Sequence, residues 1–234
     1  MGYNQSIQKA KALAKLVSIY RDSYKQLYEE AVYTSKYKLF GLRSSGLDRG
    51  FYSPSLIDDI VIGNAHRGRV VKKVTNPQSI SHVFYFDSGN RLSAINMVDT
   101  SKEVILQRDE SELGIVFRVE GLFQITQCLF QHNQITRYER VRVFEENSDH
   151  ITEYLCESYF YKDNRLSSCL MEHFLSSNPD LSVYQEYLYL FEHSPDGSES
   201  RYQIETHNEL GERVEGHFDN QQYLVKNNSR LLHL

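Results

Sequence analysis

Residues 158–170, SYFYKDNRLSSCL, carry an aromatic strand end into a two-residue polar turn, Asp163-Asn164, and leave it through Arg165-Leu166. Residues 82–97, HVFYFDSGNRLSAINM, follow the same plan, and looser echoes continue towards the C-terminus. A strand that meets so short a turn returns beside the strand it has just left. The repetition therefore commits the chain to antiparallel hairpins. Neighbours in sequence become neighbours in space, and the expected sheet is a meander, either open or partly closed into a barrel.

Strand candidates fill the chain from residue 81 onward: 82–86, 91–98, 103–107, 114–119, 123–130, 134–144, 150–161, 165–174, 183–192, 200–207 and 212–218. The turn signals between them are Ser88-Gly89-Asn90, His132-Asn133, Asn147-Ser148-Asp149, Asp163-Asn164, Asn178-Pro179-Asp180 and Pro195-Asp196-Gly197. In the 183–192 segment Tyr187, Tyr189 and Phe191 share one face, with Leu188 and Leu190 on the other. Both faces are apolar, so one of them needs a cover.

The N-terminal residues supply a candidate cover. From Gln5 to Tyr37, Ile7, Leu13, Leu16, Val17, Tyr20, Tyr24, Leu27, Tyr28, Ala31 and Val32 recur at steps of three and four, which predicts one long helix or two with a kink. Asn4 or Ser6 is placed to cap its start, and Gly41 to stop it. The stretch SPSLIDDIVIGN, from Ser53, reads as a short helix opened by Ser-Pro or as a strand at Ile60–Ile62. The expected class is α+β: an N-terminal helical segment, 1–65, packed on a large twisted antiparallel meander, 66–226, as one compact unit.

Charge is unevenly placed. Residues 1–80 hold 13 Lys and Arg against 6 Asp and Glu, a net +7, while residues 81–234 hold 13 against 25, a net −12. Such a chain can steer partners of opposite sign to opposite ends. The basic run HRGRVVKK, from His66 to Lys73, suits phosphate, but RVVKKV equally reads as a first strand, and the acidic remainder would repel a duplex. Nucleic acid is not the expected partner. No apolar run reaches the roughly 20 residues that a membrane-spanning helix needs. The N-terminus lacks the pattern of a secretory signal, and Cys128, Cys156 and Cys169 form no CxxC pair, which together predict a cytoplasmic protein with buried thiols.

The units in which Tyr85-Phe86-Asp87 is followed by Arg91-Leu92, and Phe160-Tyr161 with Asp163 by Arg165-Leu166, resemble the YD-type hairpin repeats of RHS proteins and the hairpin arrays of MORN-like chains. The resemblance spans roughly residues 82–218. It implies a long meandering sheet, as in small bacterial proteins of toxin–immunity loci. The spacing drifts, and the usual glycine is present at Gly89 but absent at Asp163-Asn164.

Chemistry-bearing motifs are few. There is no HExxH, HxH, GxSxG, GxGxxG or P-loop, so neither a cofactor nor a metal is expected. His193, His207 and His217 are the candidate metal cluster, and Ser167, Ser168 and Cys169 with Asp149-His150 the candidate nucleophile group. Tyr159, Tyr161, Tyr187 and Tyr189 beside Glu157, Glu186 and Glu192 would make an acidic, aromatic surface for a basic protein partner, unless the rings are core. The functional expectation is a non-enzymatic interaction module, immunity- or antitoxin-like, with a small apolar ligand in a cup or barrel as the alternative. The sequence sets no oligomeric state.

Overall fold

The structure, a computed structural model, describes residues 3–44, 48–57, 67–98, 100–178, 181–194, 199–207 and 225–226. Its described residues open with the helices α1 (Tyr3–Tyr20) and α2 (Tyr24–Tyr33), followed by a strand β1 (Tyr37–Leu42). Then come β2 (Arg69–Val71), β3 (Ile80–Phe86), β4 (Leu92–Met97), β5 (Ser101–Arg108), β6 (Ser111–Phe117), β7 (Leu122–Gln131) and β8 (Gln134–Phe144). The last are β9 (Asn147–Lys162), β10 (Arg165–Asn178), β11 (Leu181–His193), β12 (Glu199–His207) and β13 (Val225–Lys226). The 13 strands of the described residues join one antiparallel sheet, open, with β2 and β13 at its edges. From β3 to β13 the order in space is the order in the chain, the meander that short turns require. The protein is mostly β.

The predicted helix breaks at Arg21-Asp22-Ser23, where the Ser23 amide returns to the Tyr20 carbonyl. Ala10, Leu13, Ala14 and Val17 of α1 and Tyr24 and Tyr28 of α2 are buried against Val104, Leu113, Ile115, Phe117, Ile125, Val141 and Tyr154. The Tyr24 and Tyr28 rings sit 4.8 and 5.5 Å from the Phe117 ring. Cross-strand pairing Val104–Ile115–Ile125–Val141–Tyr154 puts the sheet's half of this core on one face, called here the helical face.

Sequence periodicity carries the helix to Tyr37, but it ends at Tyr33. The hydroxyls of Thr34 and Ser35 donate to the Glu30 and Val32 carbonyls and satisfy the last turn. Tyr37 then stacks on Phe86, with ring centroids 4.9 Å apart, and Gly41 lets β1 pass over the Phe84 ring, where a Cβ would sit at 3.0 Å. The turn expected at Asn147-Ser148-Asp149 lies two residues earlier, at Glu145-Glu146, both at positive φ, and β9 already begins at Asn147. The expected turns at His132-Asn133 and Asp163-Asn164 are formed, each with both residues at positive φ. The second half of SPSLIDDIVIGN, the strand candidate 212–218 and Pro195-Asp196-Gly197 lie outside the described residues.

Candidate functional site

The opposite face of the sheet is crossed by residues Asp48–Ile57, here called the strap. Its aromatic part, Phe51 and Tyr52, packs on Phe84, Phe86, Ile95, Met97, Ile105 and Val116. Further along, Leu56 and Ile57 pack on Cys128, Ile135, Tyr138, Leu155, Tyr159, Cys169, Met171 and Tyr189. Between these two apolar clusters lies a charged seam, and strand register builds it. One row across the strands reads Glu103–Val116–Gln124–Arg142–Glu153, and the next reads Gly114–Thr126–Arg140–Leu155–His173.

Arg49 enters the seam from the strap. Its Nε and Nη2 lie 2.9 and 2.8 Å from Glu103 Oε1, Nη2 also donates to Thr126 Oγ1 at 3.0 Å, and Nη1 pairs with Glu112. Gly114 leaves the room that the guanidinium and the Glu103 carboxylate occupy. Burial works against the Arg49 charge, but Glu103 and Glu112 outweigh it and hold the guanidinium protonated. Burial pushes the Glu103 carboxyl up, with Arg49 opposing and Asp48 and Glu112 reinforcing. Among the described residues, Glu103 Oε2 has no hydrogen-bond partner.

Next to Arg49, Asp48 faces two arginines. Arg142 Nη2 and Arg140 Nη1 stand 3.3 and 3.7 Å from Asp48 Oδ2, and Gln124 donates to the same oxygen at 2.9 Å. Glu153 takes the other ends of both forks, from Arg140 Nη2 at 2.7 Å and Arg142 Nη1 at 2.6 Å, with His173 Nε2 at 3.5 Å. Burial alone would raise the Glu153 carboxyl; His173, Arg140 and Arg142 together outweigh it and hold it well below the usual range.

The strap's far end is fastened by Glu157, which is 0% exposed. It accepts from the Ser55 and Tyr159 hydroxyls and from the Leu56 and Ile57 amides, the last two at 3.1 and 3.3 Å. Two of its donors are therefore first-turn amides where the chain becomes helical at Leu56, the place where a carboxylate is best held. The Tyr159 hydroxyl also donates to the Pro54 carbonyl at 3.3 Å. Chemically this seam is a clasp. Its carboxylates and guanidiniums are committed to one another, and they pin a crossing loop.

The seven residues expected to form a partner surface are not one surface. Glu157, Tyr159, Tyr161, Tyr187 and Tyr189 are on the strap face, and Glu186 and Glu192 on the helical face. Glu157, Tyr159 and Tyr189 are buried, and Leu56 and Ile57 of the strap pack in the same cluster as the two rings; Tyr161 and Tyr187 are half-buried at its margin. Tyr161 donates to the Ile135 carbonyl at 2.8 Å. Glu186 is buried and accepts from the Tyr184 hydroxyl at 3.2 Å, and Glu192 is exposed. The cover over this part of the sheet is thus the strap, while α1 lies over β7–β9.

Among the described residues the other candidate groups are not brought together. On the β11–β12 hairpin His193 pairs with Ser200 at one end and His207 with Glu186 at the other, and His217 lies outside the described residues. Asp149 and His150 begin β9, whereas Ser168 and Cys169 pair with Phe160 and Tyr159 near its end. Among the described residues no group of three or more His, Cys, Asp or Glu has a metal-holding arrangement, and no helix is long and apolar enough to cross a membrane.

Sequence reasoning missed Asp48, Arg49, Glu103, Arg140, Arg142 and Glu153. A signal was there. Glu103 is in phase with Ile105, and Glu153 with Leu155, so an acid stands where alternation demands an inward side chain. Compared with known protein families and with curated proteins, the sequence matches none.

Proposed function

We propose that the protein is a non-enzymatic interaction module of the immunity or antitoxin type, whose acidic side engages a basic protein partner. The observation that carries this reading is the strand order. Because the sheet follows the chain from β3 to β13, the basic stretches 34–44 and 67–82, with seven Lys and Arg and no Asp or Glu, stand at the β1–β2 edge, and the strands of the acidic remainder run away from it towards the other. The interior carboxylates are committed to the strap, to α1 and to side chains of the sheet itself. Those free to meet a partner lie on turns and outer faces, among them the exposed Glu110, Glu120, Glu145, Asp149, Asp163 and Glu192. Separated charge of this kind speeds encounter with an oppositely charged protein and sets its orientation. The hairpin-array resemblance is in keeping with such a module. Of the residues expected at the interface, Glu192 belongs to this surface as it stands, and Glu157 and Tyr159 join it only if Pro54–Ile57 lift away.

The test is capture from the host lysate at low and high salt, with mass spectrometry and absorbance at 260 nm, followed by association kinetics of the captured protein. A stoichiometric basic protein whose on-rate falls steeply with ionic strength supports the reading; salt-independent binding or nucleic acid in its place refutes it. The alternative, a small apolar ligand, drew on a barrel or cup, and the sheet is open.

A further inference from the structure

The basic run at Arg67–Lys73, which the acidic-surface reading leaves unused, forms the opposite edge of the sheet. β1 pairs with β3 along all of Tyr37–Leu42, but with β2 only at Phe40–Leu42. After Val71 the chain bends away, so among the described residues Tyr37, Lys38 and Leu39 are paired on one side alone. This leaves a notch in the edge beside the end of β2, three residues of strand whose outward peptide groups, every second one along the strand, have no strand partner among the described residues. Residues 34–44 and 67–82 contain seven cations, Lys36, Lys38, Arg43, Arg67, Arg69, Lys72 and Lys73, and no Asp or Glu. Lys36, Lys38, Arg69, Lys72 and Lys73 are exposed and make no ion pair among the described residues.

Sheet edges are usually protected by charge or shortness because an open row of peptide groups recruits other strands. Here the charge does more than repel. It is of one sign, so it repels basic strands and attracts acidic ones. We infer that the notch between β1 and β2 is a docking site for an acidic extended peptide, which continues β2 beside Tyr37–Leu39 while its carboxylates meet Lys36, Lys38, Lys72 and Lys73. The backbone supplies the fit and the lysines supply the choice of partner, the division of labour that strand addition uses elsewhere. A nucleic acid would satisfy the lysines but has no peptide groups for the open edge. The inference is independent of the acidic surface at the other end, and either can fail alone.

The probe is a short fluorescent peptide of alternating Glu and Thr, with two controls: the same peptide N-methylated at every second residue, and a single-stranded oligonucleotide of equal charge. Binding to the full chain is read by anisotropy, and the site by hydrogen exchange. The unmodified peptide is expected to bind and to slow exchange at Tyr37–Leu39. The exposed Lys72→Glu/Lys73→Glu variant should weaken it by about tenfold or more. N-methylation, which keeps the charge and removes half the edge hydrogen bonds, should abolish it. Equal binding of the N-methylated peptide, tighter binding of the oligonucleotide, or protection elsewhere than Tyr37–Leu39 overturns the inference. So does no binding at all. If the double variant does not fold, the N-methylated arm on the unaltered chain decides the matter by itself.

Discussion

At position 114 a single methyl group is too many. A Cβ there would overlap the Glu103 carboxylate, the Thr126 hydroxyl and the Arg49 guanidinium. Gly114→Ala should therefore push the guanidinium off its carboxylate and cost about 2–4 kcal/mol, a range set by overpacking plus a weakened buried ion pair. The denaturant midpoint measures it, and a change no larger than that of an exposed Gly→Ala would show that the seam accommodates the methyl. Position 145 works the other way. Glu145 and Glu146 both take positive φ, 51° and 56°, a backbone that suits Asn or Gly. Glu146 is compensated, since Leu122 N donates to its carboxylate at 2.8 Å and Arg21 to its carbonyl. Among the described residues Glu145 has no such tie, so Glu145→Asn should stabilise by about 0.5–1 kcal/mol, seen as a rise in melting temperature. This is also why composition points to a different place for the turn. Asn147-Ser148-Asp149 has the composition of a turn, and Glu-Glu does not.

Among the elements, the strands were legible and the strap was not. β8 matches its expected bounds, 134–144, because alternation and a His-Asn turn act within a dozen residues. The strap depends on partners far away in the chain, Glu103, Glu112 and Glu157, which by composition pass for solvated glutamates. β1 was hidden by a tyrosine spacing that mimics a helix across a real helix end. Removing one partner of a buried pair leaves the other charged and unsolvated. Arg49→Ala should accordingly destabilise the protein by about 3–5 kcal/mol. Arg49→Met combined with Glu103→Leu should recover much of that loss, and a double variant no better than the single would mean that Arg49 acts through packing. Hydrogen exchange at Leu56 and Ile57 separates the two ends of the strap, because Glu157 holds them without Arg49.

For the whole molecule, pH reads two of the buried acids, Glu153 and Glu103, in opposite directions. The Glu153 carboxyl is lowered in the fold, so its contribution is present above the ordinary Glu value of about 4.3 and is lost as pH falls below it. The Glu103 carboxyl is raised, so its contribution is greatest below about 4.3 and declines as pH rises towards its folded value. Glu153→Gln should flatten the acid limb of a stability–pH curve, and Glu103→Gln the limb above it; the same flattening from both variants would contradict the assignment. The meander also has a consequence in time. Each strand from β4 to β12 finds its partner a few residues behind it, so hairpins can form as the chain leaves the ribosome. The strap cannot wait on local partners: Ser55 meets Glu157 across 102 residues. The segment synthesised among the first is thus fastened among the last, and pulse-labelled refolding should find amides of β6–β8 protected before those of Leu56 and Ile57.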